Sequence, residues 1–488
     1  LFNRKTRSPR SGETMRRAVA LAIDRFNATA DQEKSRIALV ALDDRNNPAR
    51  AAELAGEAAA DPDVLGVVGH NYSAASLAAG EVYREQGLVA ITATSTANAL
   101  TLDNPWYFRT IFNNAYQSAF LADYLKTALP ARPVVIIRSD GAYGRDLGAD
   151  FRAQAARIGI KIADEMVVDG APDTPQRIAN QVALAHDKAM IFLALQRAEA
   201  VPIIKALRDR QLPNLLAGPD SLSDPRLREA FSAFSRTRDN PGFYTDNLLV
   251  ATPFLKETAN QLAQNFVEEY QLRHGEEPIW SGPYAFDAAR LLIGAIVGTE
   301  GFNTDIPIKD RRTRIRDHLS RVDSPARGVE GTTGISYFDV SGNSQKPITM
   351  GWFRGALVST MTQLRGIQPA EVRGKLDRLR DKGVVANLGD QLMLKTAIAY
   401  TGIIVDEIKS LDFATHSAEI SFRLWFRYQS KLDVPDVEFT NAAKPITLGK
   451  PVKSVTRDGI SYRLYRVSGK FKLDFAGRRA PFGSRMVG

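Results

Sequence analysis

The fold class this sequence predicts is α/β: two doubly wound parallel sheets, followed by a C-terminal antiparallel β-sandwich. Three observations carry that reading. Apolar strand-like runs alternate with helical stripes from residue 12 to about residue 220. The alternation breaks near residue 340, where turn residues sit between two strand-like runs. Beyond about residue 390, short segments alternate strictly between apolar and polar side chains. A length of 488 residues is too great for one ordinary core, so several domains are expected.

Residues 12–27 place Met15, Val19, Ala22 or Ile23 and Phe26 on one helical stripe. "RIALVALDD" then reads as a buried strand and "NPARAAELAGEAAAD" as an Ala-rich helix. "VLGVVG" is a strand, "AASLAAGEVYREQG" a helix and "LVAITATST" a strand. A helix follows around Gln117–Leu129, then strand "PVVIIRS", helix "GRDLGADFRAQAARIG" and strand "IKIADEMVV". The series closes with a helix around Pro175–Ala185, strand "AMIFLAL", helix "RAEAVPIIKALRDRQ" and strand "NLLAGP". Strands this apolar, each followed by a helix, form parallel sheets covered on both faces. "GISYFDVSGNSQKPITMGWFRGALV" reads as a hairpin about its Asp-Val-Ser-Gly-Asn turn. Residues 368–383 read as a short amphipathic helix with Val372, Leu376 and Leu379 on one face. In "HSAEISFRLWFRY", Ala418, Ile420, Phe422, Leu424, Phe426 and Tyr428 share a face. "GKFKLDF" turns Phe471, Leu473 and Phe475 inward in the same way.

Composition narrows the function classes. There is no cysteine, which excludes disulfides, thiolate metal sites and a cysteine nucleophile. The five histidines are scattered, without the close spacing of a zinc site. No cofactor and no metal are therefore expected. No run of 18 apolar residues appears. The chain starts at Leu1 and is read as a mature or trimmed product. Residues 361–488 hold 22 Lys+Arg against 13 Asp+Glu, a surplus that equals the whole chain's net +9. Such a basic module suits an anionic membrane surface, a partner or nucleic acid. The plain alternative is a solvated surface, since no dense polybasic run or aromatic-interleaved basic stretch is present. Nucleic acid is not an expected partner.

Four strand–helix junctions carry polar clusters. In "GHNYSAAS", Ser73 falls where a helix N-cap belongs, ahead of unsatisfied N–H groups. "TATST" (Thr92–Thr96) is a hydroxyl-dense strand end. "SDGAYGRDLG" puts Tyr143 at a helix start, and "GPDSLSD" puts Asp220 just past a strand. Each has an ordinary reading: a cap, strand filler, a packing aromatic, a turn former. Their shared position at strand ends is what makes a ligand site, because doubly wound sheets bind ligands there. Hydroxyls and helix N-termini suit a carboxylate, and a carboxylate suits an ammonium. No P-loop, nucleophile elbow or dinucleotide fingerprint is present.

These residues carry a resemblance. Residues 12–360 resemble type I periplasmic solute-binding proteins, most closely the leucine/isoleucine/valine-binding family of ABC importer receptors. "GHNYSAAS", "VYREQGLVAITATST", "IIRSDGAYGRDLG", "LLAGPD", "WSGPYAFDAARLL" and "GTTGISYFDVSGN" follow that family's order. The resemblance implies a two-lobed clamshell closing on a small ligand. Lobe 1 is expected over residues 1–120 plus 250–338, and lobe 2 over 121–249 plus 339–362. A helical linker is expected over 363–394, ahead of a basic β-sandwich over 395–488. Crossings near 117–121, 247–252 and 337–342 form the hinge in this picture. Ser73, Thr94 and Thr96 are then expected to hold a carboxylate. Tyr143 and Asp220 face it from the other lobe, Asp220 toward an α-ammonium, and Tyr284 flanks the ligand side chain. This sequence has Asp220 where the family usually has Glu. Gln196 stands in place of an aromatic and Tyr72 thickens the rim, so a polar ligand is admitted. The family's first strand should precede residue 12, where only "LFNRKTRSPRS" stands.

From about 395 to 488 the chain more weakly resembles the extracellular β-sandwich of prokaryotic pentameric ligand-gated channels. Its closing motif reads Pro-Phe-Gly at 481–483 instead of Pro-Phe-Asp. The two resemblances together imply non-catalytic binding of an amino acid, branched-chain or polar, outside the cytoplasm. The chain is then either the solute receptor of an ABC permease or the sensing ectodomain of a membrane receptor. The second role requires a membrane domain encoded beyond residue 488. The alternative from another class is a cytosolic α/β enzyme acting on a small carboxylate.

Overall fold

The computed structural model describes residues 9–29, 36–367, 372, 374–388, 391–429, 437–457 and 459–473. The chain forms two compact units. One holds residues 1–359 and 364–394, the other 360–363 and 395–488.

The first unit opens with helix α1 (Pro9–Thr29), whose Met15, Val19 and Ala22 are buried as the stripe predicts. α2 (Pro48–Ala60) is capped by Asn47, whose side chain accepts from the Arg50 N–H at 3.0 Å. Strands β1 (Val67–Val68), β2 (Ala90–Thr92) and β3 (Tyr107–Arg109) form a parallel sheet in that order, with α3 (Ser73–Gln86) between the first two. The stretch 36–44, expected as a strand, forms none and joins no sheet. Its Ile37 backbone is taken by the Asn27 side chain, which donates to the Ile37 carbonyl (2.9 Å) and accepts from its N–H (3.0 Å). The first sheet is therefore wound in one direction among the described residues.

The second sheet matches the α/β expectation more fully. Helix α4 (Asn114–Ala128) leads to β4 (Val134–Ser139), α5 (Ala142–Ile158), β5 (Ile162–Val168) and α6 (Thr174–Ala185). Then come β6 (Met190–Ala194), α7 (Arg197–Asp209), β7 (Leu216–Gly218), a one-turn α8 (Arg236–Asp239) and β8 (Leu248–Thr252). Strand order is β5-β4-β6-β7-β8, all parallel, so the winding reverses between β4 and β6. That reversal opens a crevice at the carboxyl ends of β4, β6 and β7. β4 and β6 are almost wholly buried, as continuous apolar strands must be.

Helices α9 (Gln261–His274), α10 (Ser281–Gly298) and α11 (Ile308–Ser320) follow. The hairpin expected about the Asp-Val-Ser-Gly-Asn turn forms differently. β10 (Gly334–Ser336) pairs back with β9 (Val329–Gly331), and only one bridge, Phe338 to Ser344, spans the turn. Asp339 explains this, because its side chain and carbonyl gather the N–H groups of Ser341, Asn343 and Gly342 into a local knot. β11 (Thr349–Arg354) instead adds antiparallel to β8 and turns at Gly355 into β12 (Ala356–Ser359).

Residues 363–394, expected as a helical linker, hold one short α-helix among the described residues. β13 (Thr362–Ile367), α12 (Leu376–Asp381), β14 (Val385–Leu388) and β15 (Gln391–Ala397) give a three-stranded sheet, order β13-β15-β14. The alternation of Leu392 and Leu394 makes β15 a strand, and Leu376 and Leu379 pack on its small core. Residues 368–371 of the expected helix lie outside the described residues.

In the second unit, β16 (Tyr400–Asp412), β17 (Ser417–Gln429), β18 (Lys453–Arg457) and β19 (Ile460–Lys472) form one antiparallel sheet, order β16-β17-β19-β18. Its buried face carries the expected Phe422, Leu424, Phe426 and Tyr428, joined by Phe471. Val437, Phe439, Ile446 and Leu448 cover that face from an irregular segment, not from a second sheet. The Pro-Phe-Gly stretch and Phe475 lie outside the described residues.

Candidate functional site

A cleft of about 1120 Å³ lies at the carboxyl ends of the parallel strands of the first and second sheets. Seven of the eight residues singled out in the sequence line it: Tyr72, Ser73, Thr94, Thr96, Tyr143, Gln196 and Asp220. They arrive from loops after β1, β2, β4, β6 and β7, where parallel strands deliver side chains to one edge.

The first wall is neutral. Tyr72, not Ser73, occupies the N-cap of α3, in extended conformation and without a side-chain cap bond. Ser73 is therefore the first helical residue, and capping does not consume its hydroxyl. Neither the Ser73 nor the Thr96 hydroxyl is hydrogen-bonded among the described residues, and both face the cleft. Behind them, one carbonyl organises the wall. The His70 oxygen accepts from Thr92 Oγ1 (3.0 Å), Ser95 Oγ (3.3 Å) and Thr94 Oγ1 (3.4 Å). Thr94 Oγ1 also donates to the Asn71 carbonyl at 2.8 Å, so its hydrogen is already committed.

His70 itself is fully buried. Nδ1 meets Asp44 Oδ2 at 2.7 Å and Nε2 meets Tyr83 OH at 2.9 Å. Burial holds the imidazole below its ordinary pKa, against the pull of Asp44. Beneath Ser95 lies the buried guanidinium of Arg109, which donates to the Ser95 carbonyl (3.3 Å) and Thr101 Oγ1 (3.1 Å). Desolvation lowers its pKa to about 10, so it stays cationic at neutral pH. Two hydroxyls, the N-terminus of a 14-residue helix and a buried cation all favour an anion at this wall.

The second wall is charged. Asp220 opens a 3-10 turn directly after β7 and Pro219 and is 4% exposed. Its Oδ1 accepts from Tyr143 OH at 2.7 Å and from Gln117 Nε2 at 2.9 Å. Tyr143 reaches it because Gly144 lets α5 start close against β4 and β6. A Cβ there would stand 2.4 Å from Ser139 Oγ and 2.8 Å from the Ala194 carbonyl. Burial pushes the Asp220 carboxyl above the usual carboxylate range and the Tyr143 phenol well above its own. No Lys, Arg or His lies within ion-pair distance of Asp220 among the described residues. Backbone N–H groups at Ser221 and Asp220 add to these bonds, but a buried carboxylate held by neutral donors with no counter-ion is electrostatically incomplete. Further out, Arg197 and Arg226 both pair with Asp224, at 3.0 and 2.9 Å. Gln196 caps α7, and its N–H donates to Glu199 at 2.9 Å.

Tyr284 is the expected residue that does not reach the cleft. It is 1% exposed inside α10, and its hydroxyl donates to the Pro253 carbonyl at 3.1 Å. One helical turn earlier, Trp280 and Ile279 line the cleft instead, because the aromatic at the helix start points outward. Sequence reasoning also missed Gln117, which carries no local signal, and Asn71, which sits inside the quoted stretch. Among the described residues no three His, Asp or Glu side chains gather as a metal site. No described helix is long and apolar enough to cross a membrane.

Residues 6–309 match the model of the periplasmic binding protein family. The chain belongs to that family. An amino acid binding protein of Pseudomonas aeruginosa is 29% identical over 218 residues, covering 44% of this chain and 58% of that protein. A Leu/Ile/Val-binding protein homolog of Brucella melitensis is 24% identical over 217 residues, with the same coverage. The chain thus spans 58% of the length of these curated relatives. In fold it is similar to a leucine-binding protein from Thermotoga maritima, with a TM-score of 0.64 at 20% identity. That likeness covers 76% of this chain and 97% of the other.

Proposed function

We propose that the chain binds a zwitterionic amino acid in the cleft, without catalysis and outside the cytoplasm. The observation that carries this is Asp220, a buried carboxylate on the cleft wall that lacks a cation, facing a wall of unused donors. An α-ammonium supplies the missing charge, and an α-carboxylate takes the Ser73 and Thr96 hydroxyls and the α3 N-terminus. The relatives described as amino acid and Leu/Ile/Val-binding proteins support the ligand class. Gln196, Arg197 and Trp280 on the cleft extend it to ligands with polar side chains. Closure of lobe 1 (1–120 plus 250–338) onto lobe 2 (121–249 plus 339–362) joins the walls. Ligand shifts that equilibrium by its differential affinity for the closed form.

Thermal shift against the twenty L-amino acids tests the reading. Binding raises the melting temperature by mass action, and a flat panel removes the ligand class. Two physiological roles follow from the same site. One is delivery to an ABC permease. The other is sensing, with the basic second unit relaying closure to a membrane domain. The gene sequence past residue 488 separates them: apolar 20-residue runs mean a receptor, and a stop codon means a delivery protein.

A further inference from the structure

Gln117 lies on α4, in the stretch expected as the first hinge crossing, and is fully buried. It spends both ends of its carboxamide on one residue 103 positions away. Nε2 donates to Asp220 Oδ1 at 2.9 Å, and Oε1 accepts from the Asp220 backbone N–H at 2.6 Å. Side chain and main chain of Asp220 are thus pinned by a single amide. Tyr143 adds a third bond, again to Oδ1. Neither side-chain donor uses Oδ2.

A carboxylate on a short side chain has little reach, so its placement depends on what holds it. The two N–H and O–H donors offset part of the desolvation that opposes ionisation. The grip on the backbone N–H keeps the start of the 3-10 turn from swinging away. We infer that Gln117 is a positioning residue for amino-acid recognition: it fixes the place and aim of the Asp220 carboxyl and ties the ammonium site to the hinge crossing. This inference rests on the amino-acid reading of the cleft. The titratable and charged groups around Asp220 are Tyr143 on α5, Tyr284 on α10, Arg197 and Glu199 on α7, and Asp224 beyond the turn. Gln117 and the Ser221 backbone N–H are the non-titratable contacts beside them.

The test is calorimetric titration of the full chain and its Gln117→Leu variant with L-leucine and the other L-amino acids, from about pH 8 to about pH 4. Ammonium binding needs the ionised carboxylate, so affinity falls as pH drops through the Asp220 pKa. Losing the Gln117 donor raises that pKa and moves the acid limb to higher pH. Affinity at neutral pH drops about tenfold or more, as for a lost hydrogen bond to a charged group. 4-Methylpentanoate, which lacks the ammonium, is weakened no further by the substitution. Gln117→Asn, one methylene too short to reach, repeats the shift with its polarity kept, should the Leu variant not fold. Unchanged affinity with an unmoved acid limb overturns the inference. So does an equal loss for both ligands, which marks a packing role only. Failure of the wild-type chain to bind any L-amino acid overturns the underlying reading instead, and the inference falls with it.

Discussion

The two walls of the cleft solve opposite problems with opposite materials. On the first wall, hydroxyls hang from one carbonyl, that of His70, and the surface offers donors but no ionised side chain of its own. Positive potential comes from behind it, through a helix end and a buried Arg109. On the second wall a carboxylate is buried outright and held by Gln117 and Tyr143. A neutral wall tolerates an empty cleft at little cost, because its hydroxyls rotate and water serves them. A buried carboxylate does not, since desolvation opposes its charge until a cation arrives. In the proposed function, most ligand discrimination therefore rests on the second wall, while the first wall mainly orients.

Asp220→Ala is the strongest way to break the contrast. It should cost roughly 2–5 kcal/mol of amino-acid affinity, a weakening of about 30- to 5,000-fold. Circular dichroism should show the fold intact. Ser73→Ala and Thr96→Val, on the neutral wall, should each cost about 1–2 kcal/mol by the same calorimetry. Their pH profile should match the wild type, because neither changes an ionisable group.

Acid separates the walls in a different way. The folded-state pKa of His70 lies below its unfolded value, so the unfolded chain binds more protons below about pH 6.5. The His70 contribution to stability is present above that pH and is lost as pH falls below it. Asp220, with its carboxyl raised, acts in the opposite sense on stability, so the net slope mixes both. Denaturant melts of the wild type and His70→Asn between about pH 7 and about pH 5 isolate the first term. The variant should show the weaker acid destabilisation. The smallest effect belongs to Tyr284→Phe. Its hydroxyl bonds a core carbonyl, so stability should drop by about 1 kcal/mol while ligand affinity stays unchanged.

The same contrast explains what could be read from the sequence. The neutral wall is local. His70, Asn71, Tyr72 and Ser73 are consecutive, and Thr92–Thr96 closes the next strand, so motif and strand end coincide. Even there the cap position was off by one, because Tyr72 adopts the extended backbone that ends the loop. The charged wall depends on contacts across 77 and 103 residues, which no pattern in a single chain records. Tyr143 and Asp220 were visible as junction residues, but Gln117 was not, being one of several polar residues along its helix. Tyr284 failed for a related reason. Helical spacing gives a face, yet which turn of α10 meets the cleft is set by packing against α1 and α9. The fold was more accessible than the site: every strand and helix from 114 to 218 falls where alternation puts it. The failures were the stretch 36–44, whose Ile37 backbone is claimed by Asn27, and residues 339–343, knotted by Asp339.

One measurement bears on the central claim most directly: parallel calorimetric titration of the wild-type chain and Asp220→Ala with each of the twenty L-amino acids at neutral pH. The wild type should bind at least one amino acid saturably, and the variant should bind it at least about 30-fold more weakly. A wild type that binds no amino acid, or a variant that binds as tightly, contradicts it.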